Sequence, residues 1–292
     1  MSARVVAVVN MKGGVGKSTV VVALAEFLAS EHRRKVLVID LDPQANSSMV
    51  LAGPERWAEL RRTDKTIDAF FEPHLYNTAL KPLSDFIGTK VSDIAGAPPI
   101  DIVISTPEFR YTEREAIERF VAQGFAASQV RAKLANVMRD AVRKAGDRYD
   151  MVIFDCPPGI SYFAEAAILM ADVIMMPTIP DYMSRMGLEA FTRRTLKPLT
   201  NRRARDEAIR VLISKYDEGM QLHRTEMASI REDYRSFETV IPQDQQIARA
   251  AEWSDDPRAL EVKYGARTRD LRALAQEVVD LCDTSSAALQ GV

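Results

Sequence analysis

The stretch VVNMKGGVGKSTVVVALAEFL, residues 8–28, sets a glycine-rich turn between the end of an apolar run and the start of a helical one, with a lysine on each side. A strand that feeds such a turn and is followed at once by a helix lets loop amides and a helix N-terminus converge on an anion. Glycine removes the Cβ that would keep the main chain away from phosphate oxygens. In this arrangement Gly13, Gly14, Val15 and Gly16 form the cradle and Lys17 reaches the terminal phosphates. Ser18 offers its hydroxyl to Mg2+, and Thr19 adds another near the α-phosphate. The common G-x-x-x-x-G-K-[ST] pattern has glycine where this chain has Met11, and it assigns nothing to the second lysine, Lys12.

Outward from this loop, short apolar runs alternate with longer helix-period segments. The runs are RVVAVVN, KVLVID, DIVIS, MVIFD, VIMMP and VLIS. That rhythm predicts repeated βα units, hence an α/β fold with a mostly parallel twisted sheet and helices on both faces. Strands covered on both faces read as continuous Val, Ile, Leu and Met, as these do. Residues 53–99, rich in Pro, Asp and aromatic side chains, read as an irregular insertion with short helices. Residues 108–148 read as charged surface helices interrupted by Gly124. No repeat or low-complexity linker divides the chain, so residues 1–292 are expected to form a single domain.

Two further stretches end apolar runs in carboxylates. KVLVIDLDPQANSS places Asp40 and Asp42 at the carboxyl end of a predicted strand, where open α/β sheets gather their ligands. Charged residues after a strand also suit a solvated turn or a helix cap. YDMVIFDCPPGIS delivers Asp155 in the form of a Walker B strand, a carboxylate for a metal ion, and Pro157, Pro158 and Gly159 stop the strand there. Cys156 is read as a small neighbour without chemistry.

KGGVGKST resembles the deviant Walker A motif of the ParA/MinD group of P-loop ATPases, and the likeness extends from Arg4 to about Val279. The resemblance implies a P-loop NTPase fold, ATP hydrolysis and the cofactors ATP and Mg2+. It makes Lys12 the signature lysine, which crosses a homodimer interface to the phosphates held by the other subunit. Such a cation arriving in trans offsets charge on the transferred phosphoryl group. By the same likeness Asp42 positions or activates the attacking water, and Asp40 lies near the magnesium beside Ser18 and Asp155. The catalytic set is then Lys12, Lys17 and Asp42. VIMMPTIPDYMSRMGLEAF is similar to the ParA segment in which a strand ends in proline and a helix begins near Ser-x-x-Gly-Leu, its methionines being read as core. TVIPQDQQIARA resembles the segment bordering adenine, making Ile241, Pro242 and Gln243 base contacts.

The 39 basic and 41 acidic residues give a net charge of −2, so any nucleic-acid binding must come from a local patch. Residues 193–210 supply one candidate, with seven cations against two carboxylates. Arg193, Arg194, Arg202, Arg203, Arg231, Arg235 and Arg249 are the candidate DNA contacts, although a solvated helix face fits such a run as well. Where many chromosomal ParA proteins carry arginines after the isoleucine-proline pair, this chain has Gln243 and Gln246. The acidic and polar ending LRALAQEVVDLCDTSSAALQGV disfavours a MinD-type lipid helix, which needs basic residues on its polar face. Two cysteines without a C-x-x-C pair disfavour a zinc or iron–sulfur site and fit a reducing cytoplasm. The start directly at the loop's strand is taken to leave no room for an operator-reading domain.

The expected function is therefore a cytoplasmic, nucleoid-associated ATPase. It dimerises on ATP, binds DNA non-specifically, and is stimulated by a ParB-like adaptor to segregate or position plasmid or chromosomal DNA. Two alternatives keep the site but change the role: the same switch moving a protein cargo such as a microcompartment or chemoreceptor array, or a weakly hydrolysing nucleotide sensor.

Overall fold

The structure is a computed structural model that describes residues 3–76, 78–96, 99–199 and 208–290, with side chains placed as far as residue 284. Among the described residues, eight strands form one sheet in the order β3-β4-β2-β5-β1-β6-β7-β8. The strands are β1 (Arg4–Val8), β2 (Val36–Asp40), β3 (Gly88–Val91), β4 (Ile100–Val103), β5 (Met151–Asp155), β6 (Val173–Thr178), β7 (Ile209–Tyr216) and β8 (Ser236–Pro242). All neighbours run parallel except β3, which pairs antiparallel with β4 at one edge.

Each strand divides its side chains between two cores. In β1 and the residue after it, Val5, Ala7 and Val9 pack on one face while Val6 and Val8 pack on the other; Phe154 and Ile153 of β5 divide likewise. Both faces are dry, which is why the strands read as unbroken apolar runs. All six runs recognised in the sequence are strands. The two others carried weaker signals. Strand β3 is a four-residue edge with exposed Thr89 and Lys90, and β8 alternates buried Phe237, Thr239 and Ile241 with less buried residues.

One face holds α1 (Lys17–Ser30), α2 (Asn46–Arg62), and the late helices α10 (Leu260–Tyr264) and α11 (Thr268–Gln290). The opposite face holds α3 (Ile67–Tyr76), α4 (Phe109–Ala122), α5 (Ala127–Ala145), α6 (Tyr162–Met170) and α7 (Tyr182–Phe191). Between β7 and α10 lie α8 (Gln221–Asp233) and α9 (Gln245–Arg249). Residues 53–99 comprise most of α2, kinked at Gly53–Pro54, then α3, a 3-10 turn at Leu83–Phe86 and β3. Residues 108–148 form α4 and α5, and Gly124, with φ of 88°, turns the chain between them.

A buried polar cluster ties α1 to the late helices. The Lys263 ammonium donates to Glu26 Oε1 and Asp93 Oδ1, each at 2.7 Å, and the Tyr264 hydroxyl donates to Glu26 Oε2 at 2.6 Å. Arg258 closes the set through Asp93. Burial pushes the Glu26 carboxyl up from its ordinary range, and the Lys263 charge pulls it back. Removing one member of such a cluster strands the rest without water. Lys263→Met is therefore expected to lower unfolding stability by about 3–5 kcal/mol in urea denaturation. An unchanged midpoint would show that the ammonium is not what balances the two carboxylates.

Candidate functional site

Strand β1 lies between β5 and β6, and the chain passes from it to β2 on the far side of β5, so the crevice over the ends of β1, β2 and β5 sits where the winding reverses. Asp40 and Asp155 are register partners at the last positions of β2 and β5, and Asp155 also aligns with Val8 at the end of β1. The loop therefore leaves its strand directly beside two carboxylates.

Gly14 and Gly16 have φ of 76° and 89°, the left-handed region that a Cβ disfavours, and Gly16 caps α1 in that conformation. The loop is anchored at both ends. Asn10 Nδ2 donates to the Pro177 carbonyl at 2.7 Å while its Oδ1 accepts from Lys12 N at 2.9 Å. Ser214 Oγ donates to the Val15 carbonyl at 2.8 Å. Among the described residues, the N–H groups of Gly13, Gly14, Val15 and Gly16 donate to no protein acceptor. A fan of unsatisfied amides at a helix start is built for an anion.

Lys17 is buried beside this fan, its ammonium 3.5 Å from the Lys12 carbonyl. Burial lowers its pKa, and the charges of Asp155 and Asp42 work against that shift. Gly13, Gly14, Gly16, Lys17, Ser18 and Thr19 all line a cleft of about 550 Å³ that Asp42 also borders. An adjoining hollow of about 480 Å³ is lined by Val15, Gly16 and Thr19 together with Ile241, Pro242 and Gln243. The structure thus brings the three segments expected to hold phosphate, water and base to one place.

Lys12 is the exception to the expected geometry. Its ammonium folds back within the chain, 3.0 Å from Asp181 Oδ2 and 2.9 Å from Ser184 Oγ at the start of α7. Burial opposes ionisation of Asp181, but hydrogen bonds from Ser184 and Lys12 hold its carboxyl below the ordinary range. The methionines of the α7 segment divide as well. Met175 and Met176 are core, whereas Met183 and Met186 are 67% and 50% exposed, correcting the reading of the whole segment as packing residues. They lie on the outward side of a short helix that buries only Ser184, Leu188 and Phe191.

The carboxylates differ in their surroundings. Asp40 Oδ1 accepts from Asp42 N at 2.9 Å, and its Oδ2 accepts from Ser48 N and, at 2.6 Å, Ser48 Oγ. Burial pushes its pKa up to about 6 against those hydrogen bonds. Asp155 is wholly buried, and neither of its oxygens has a hydrogen-bond partner. Burial and the neighbouring Asp40 charge push it up to about 8, a rise that the nearby Ser18 and Ser47 hydroxyls only temper. An orphaned carboxylate beside Asp40 and the Ser18 hydroxyl fits a hard cation. Among the described residues no three His, Cys, Asp or Glu side chains converge as a metal site. Mg2+ is commonly held by one or two carboxylates and keeps waters and phosphate oxygens in its shell. The Cys156 thiol is buried and pushed well above its ordinary value by that burial, in keeping with an inert neighbour.

Among the described residues, Arg249 stands at the opposite end of β8 from Arg231 and Arg235. Exposed Arg193 shares a surface hollow with Lys197 but also with Glu189 and Asp233, and Arg194 is exposed beside it. Arg231 donates to the Glu238 carbonyl and Arg235 precedes β8, both near the strand's beginning. Arg249 ends α9, beyond the other end of β8, on the cleft side. Arg202 and Arg203 lie outside the described residues.

A profile of the AAA domain family matches residues 3–208. The chain belongs to that family, as a ParA-type P-loop ATPase. The chromosome partitioning protein ParA of Myxococcus xanthus is 25% identical over 249 residues, covering 84% of this chain and 77% of the relative. The chromosome-partitioning ATPase Soj of Thermus thermophilus is 26% identical over 250 residues, covering 85% and 84%. Among solved structures, a plasmid partition protein from Borrelia burgdorferi B31 bound to AMPPNP superposes with a TM-score of 0.67 at 17% identity, covering 94% of this chain and 99% of the other.

The sequence reading missed Gln44, Asn46, Met49, Ala250, Ala251 and Tyr264, which complete the ATPase cleft. Only Asn46, opening a helix after Asp42, carried a local signal.

Asp155 and Asp40 bind protons more tightly in the folded chain than in the unfolded one, where carboxyls titrate near 4. Their contribution to stability is present at low pH and is lost as pH rises from about 4 through about 8. Without divalent cations, Asp155→Asn is therefore expected to raise the Tm increasingly over wild type as pH climbs through that window. Differential scanning fluorimetry measures it, and a difference that is flat or shrinks with pH contradicts the burial of Asp155 as an orphan.

Proposed function

We propose that the chain is an ATP-driven dimerisation switch that binds DNA without sequence preference and positions a plasmid or chromosome, releasing it when a ParB-like adaptor stimulates hydrolysis. The observation that carries this reading is the apolar surface around Lys12. Met11, beside Lys12, and Tyr182, Met183 and Met186, which follow Asp181 in the first turns of α7, are all exposed around the Lys12–Asp181 pair. Clustered apolar exposure of this kind marks an interaction face, and a second copy would cover it.

In the dimer, the free amides of residues 13–16 and the Lys17 ammonium hold the triphosphate of one protomer. Ser18, Asp155 and Asp40 would hold Mg2+, which when bound neutralises phosphate charge. Asp42, fixed by its bonds to the backbone of Gln44 and by Asp40, orients the attacking water. Lys12 of each protomer exchanges Asp181 for the neighbour's phosphates. The pair it gives up is partly exposed, at 41% and 25%, and such pairs contribute about 1 kcal/mol or less, so a triphosphate outbids it. Nucleoid DNA would hold the dimer in the cytoplasm; no helix among the described residues is long and apolar enough to cross a membrane.

The dispersal of the arginines over two ends of β8 favours a second reading, in which the same switch carries a protein cargo and DNA is a weak track. DNA retention of the AMPPNP-loaded protein separates the two, persisting at physiological salt in the first and surviving only at low salt in the second.

Sedimentation with AMPPNP and Mg2+ is expected to show a dimer, and its absence removes the proposal's basis. Lys12→Ala is expected to lower partner-stimulated turnover by about 100-fold, the scale of one lost transition-state contact. Asp42→Ala is expected to bind ATP normally and remain dimeric because it cannot hydrolyse it. Full turnover in both variants refutes the assigned roles.

A further inference from the structure

Lys215 stands where the two hollows meet. It lines the phosphate cleft with Gly16, Lys17 and Thr19, and it lines the adjoining base hollow with Ile241 and Pro242. The end of β7 has been bent to put it there. Lys215 takes φ of 50°, a left-handed conformation uncommon for a residue with a Cβ, and the β7–β8 register slips between Ile213 and Tyr216. Its neighbours are pinned on either side: Ser214 donates to the Val15 carbonyl inside the loop, and the Tyr216 carbonyl accepts from Gln243 N at 2.8 Å. Backbone strain held between two fixed residues at a cleft is a mark of function.

The ammonium also lacks a counter-charge. Lys12 has Asp181 and Lys263 has Glu26 and Asp93, and the acidic charges that favour ionised Lys17 are Asp155 and Asp42. Among the described residues, the Lys215 side chain makes no hydrogen bond or ion pair, although the residue is half-buried. A half-buried cation without a partner, facing a fan of unsatisfied amides, is a site that an anion completes.

We propose that Lys215 is a third nucleotide-binding lysine, pairing in its own protomer with the phosphate chain of a bound nucleoside di- or triphosphate. It acts from the junction of the two hollows and fixes the phosphates relative to the base. Its effect is on affinity for phosphorylated ligands, while the base contacts come from Ile241 and Pro242. This inference rests on the nucleotide reading above.

The test is titration of mant-ATP, mant-ADP and unlabelled adenosine, by fluorescence and competition, into wild type, Lys215→Met, Lys215→Arg and Lys17→Ala, each checked for an unchanged Tm. Lys215→Met keeps the apolar stem and loses the charge. It is expected to weaken both mant-nucleotides about tenfold, the scale of one charge-assisted contact. Adenosine affinity is expected to stay within about twofold of wild type, and Lys215→Arg to recover most of the loss. Mant-nucleotide binding by Lys215→Met at wild-type strength overturns the inference, as does an equal loss for adenosine, which would mean a merely structural role. If Lys17→Ala loses binding while Lys215→Met does not, only Lys215 falls. If wild type binds no nucleotide, or Lys17→Ala binds as well as wild type, the nucleotide reading itself falls.

Discussion

Negative charge buried at the ends of two hydrogen-bonded strands is the constraint to which the rest of the cleft answers. Asp40 and Asp155 are register neighbours with no solvent exposure, and leaving a carboxylate dry without a partner is among the costlier things a fold can do. Asp40 is accommodated by three donors from the start of α2 and the Asp42 backbone. Asp155 has only the nearby Ser18 and Ser47 hydroxyls to temper it, so burial and Asp40 together raise its proton affinity. The resulting site is poised for a positive ion and sits beneath a loop whose amides are poised for a negative one. Each half is unfavourable alone, and a magnesium–phosphate ligand relieves both.

The same logic reaches away from the cleft. Helix α1 begins at the loop with a buried lysine and, nine positions further along, buries Glu26 in a cluster with Lys263, Asp93 and Tyr264. Tyr264 lines the cleft and also donates its hydroxyl to Glu26. The late helices are thereby keyed to the phosphate-loop helix by a set of hydrogen bonds that tolerates little displacement, since any shift strands a dry charge. A purely apolar contact there would slide more readily. The late helices are fixed for an electrostatic reason, whereas Lys12 is held only by a partly exposed ion pair with Asp181 and a hydrogen bond to Ser184.

Much of this was legible in the sequence because it rests on local chemistry. Six strands announced themselves since both faces are buried, and the loop announced itself since left-handed turns at Gly14 and Gly16 call for glycine. Asp40 and Asp155 could be singled out as strand-ending carboxylates, but not as partners, because register between strands over a hundred residues apart leaves no local trace. Strand β3 was hidden by its exposed middle residues, and β8 by a buried-and-exposed alternation in place of the unbroken apolar run of the others. Exposed Met183 and Met186 misled for another reason: methionine suits a core and an association face equally, and only the surroundings decide.

Lys215 shows the limit most clearly. In the run VLISKYDEGM it reads as an ordinary lysine closing a strand, and nothing in its neighbours predicts a positive φ. Its significance comes from two anchors that lie elsewhere, the Val15 carbonyl about two hundred positions earlier and Gln243 in the segment after β8. Those bonds fix the strand end against the phosphate loop and leave the intervening residue to absorb the mismatch, with its side chain turned to the wall shared by both hollows. A phosphate site assembled this way gains cations from whichever segments converge on it. The roles of Lys12, Lys17 and Lys215 then follow from what already neutralises each one: the carboxylate capping α7, the buried aspartates, and, for the last, only an incoming anion.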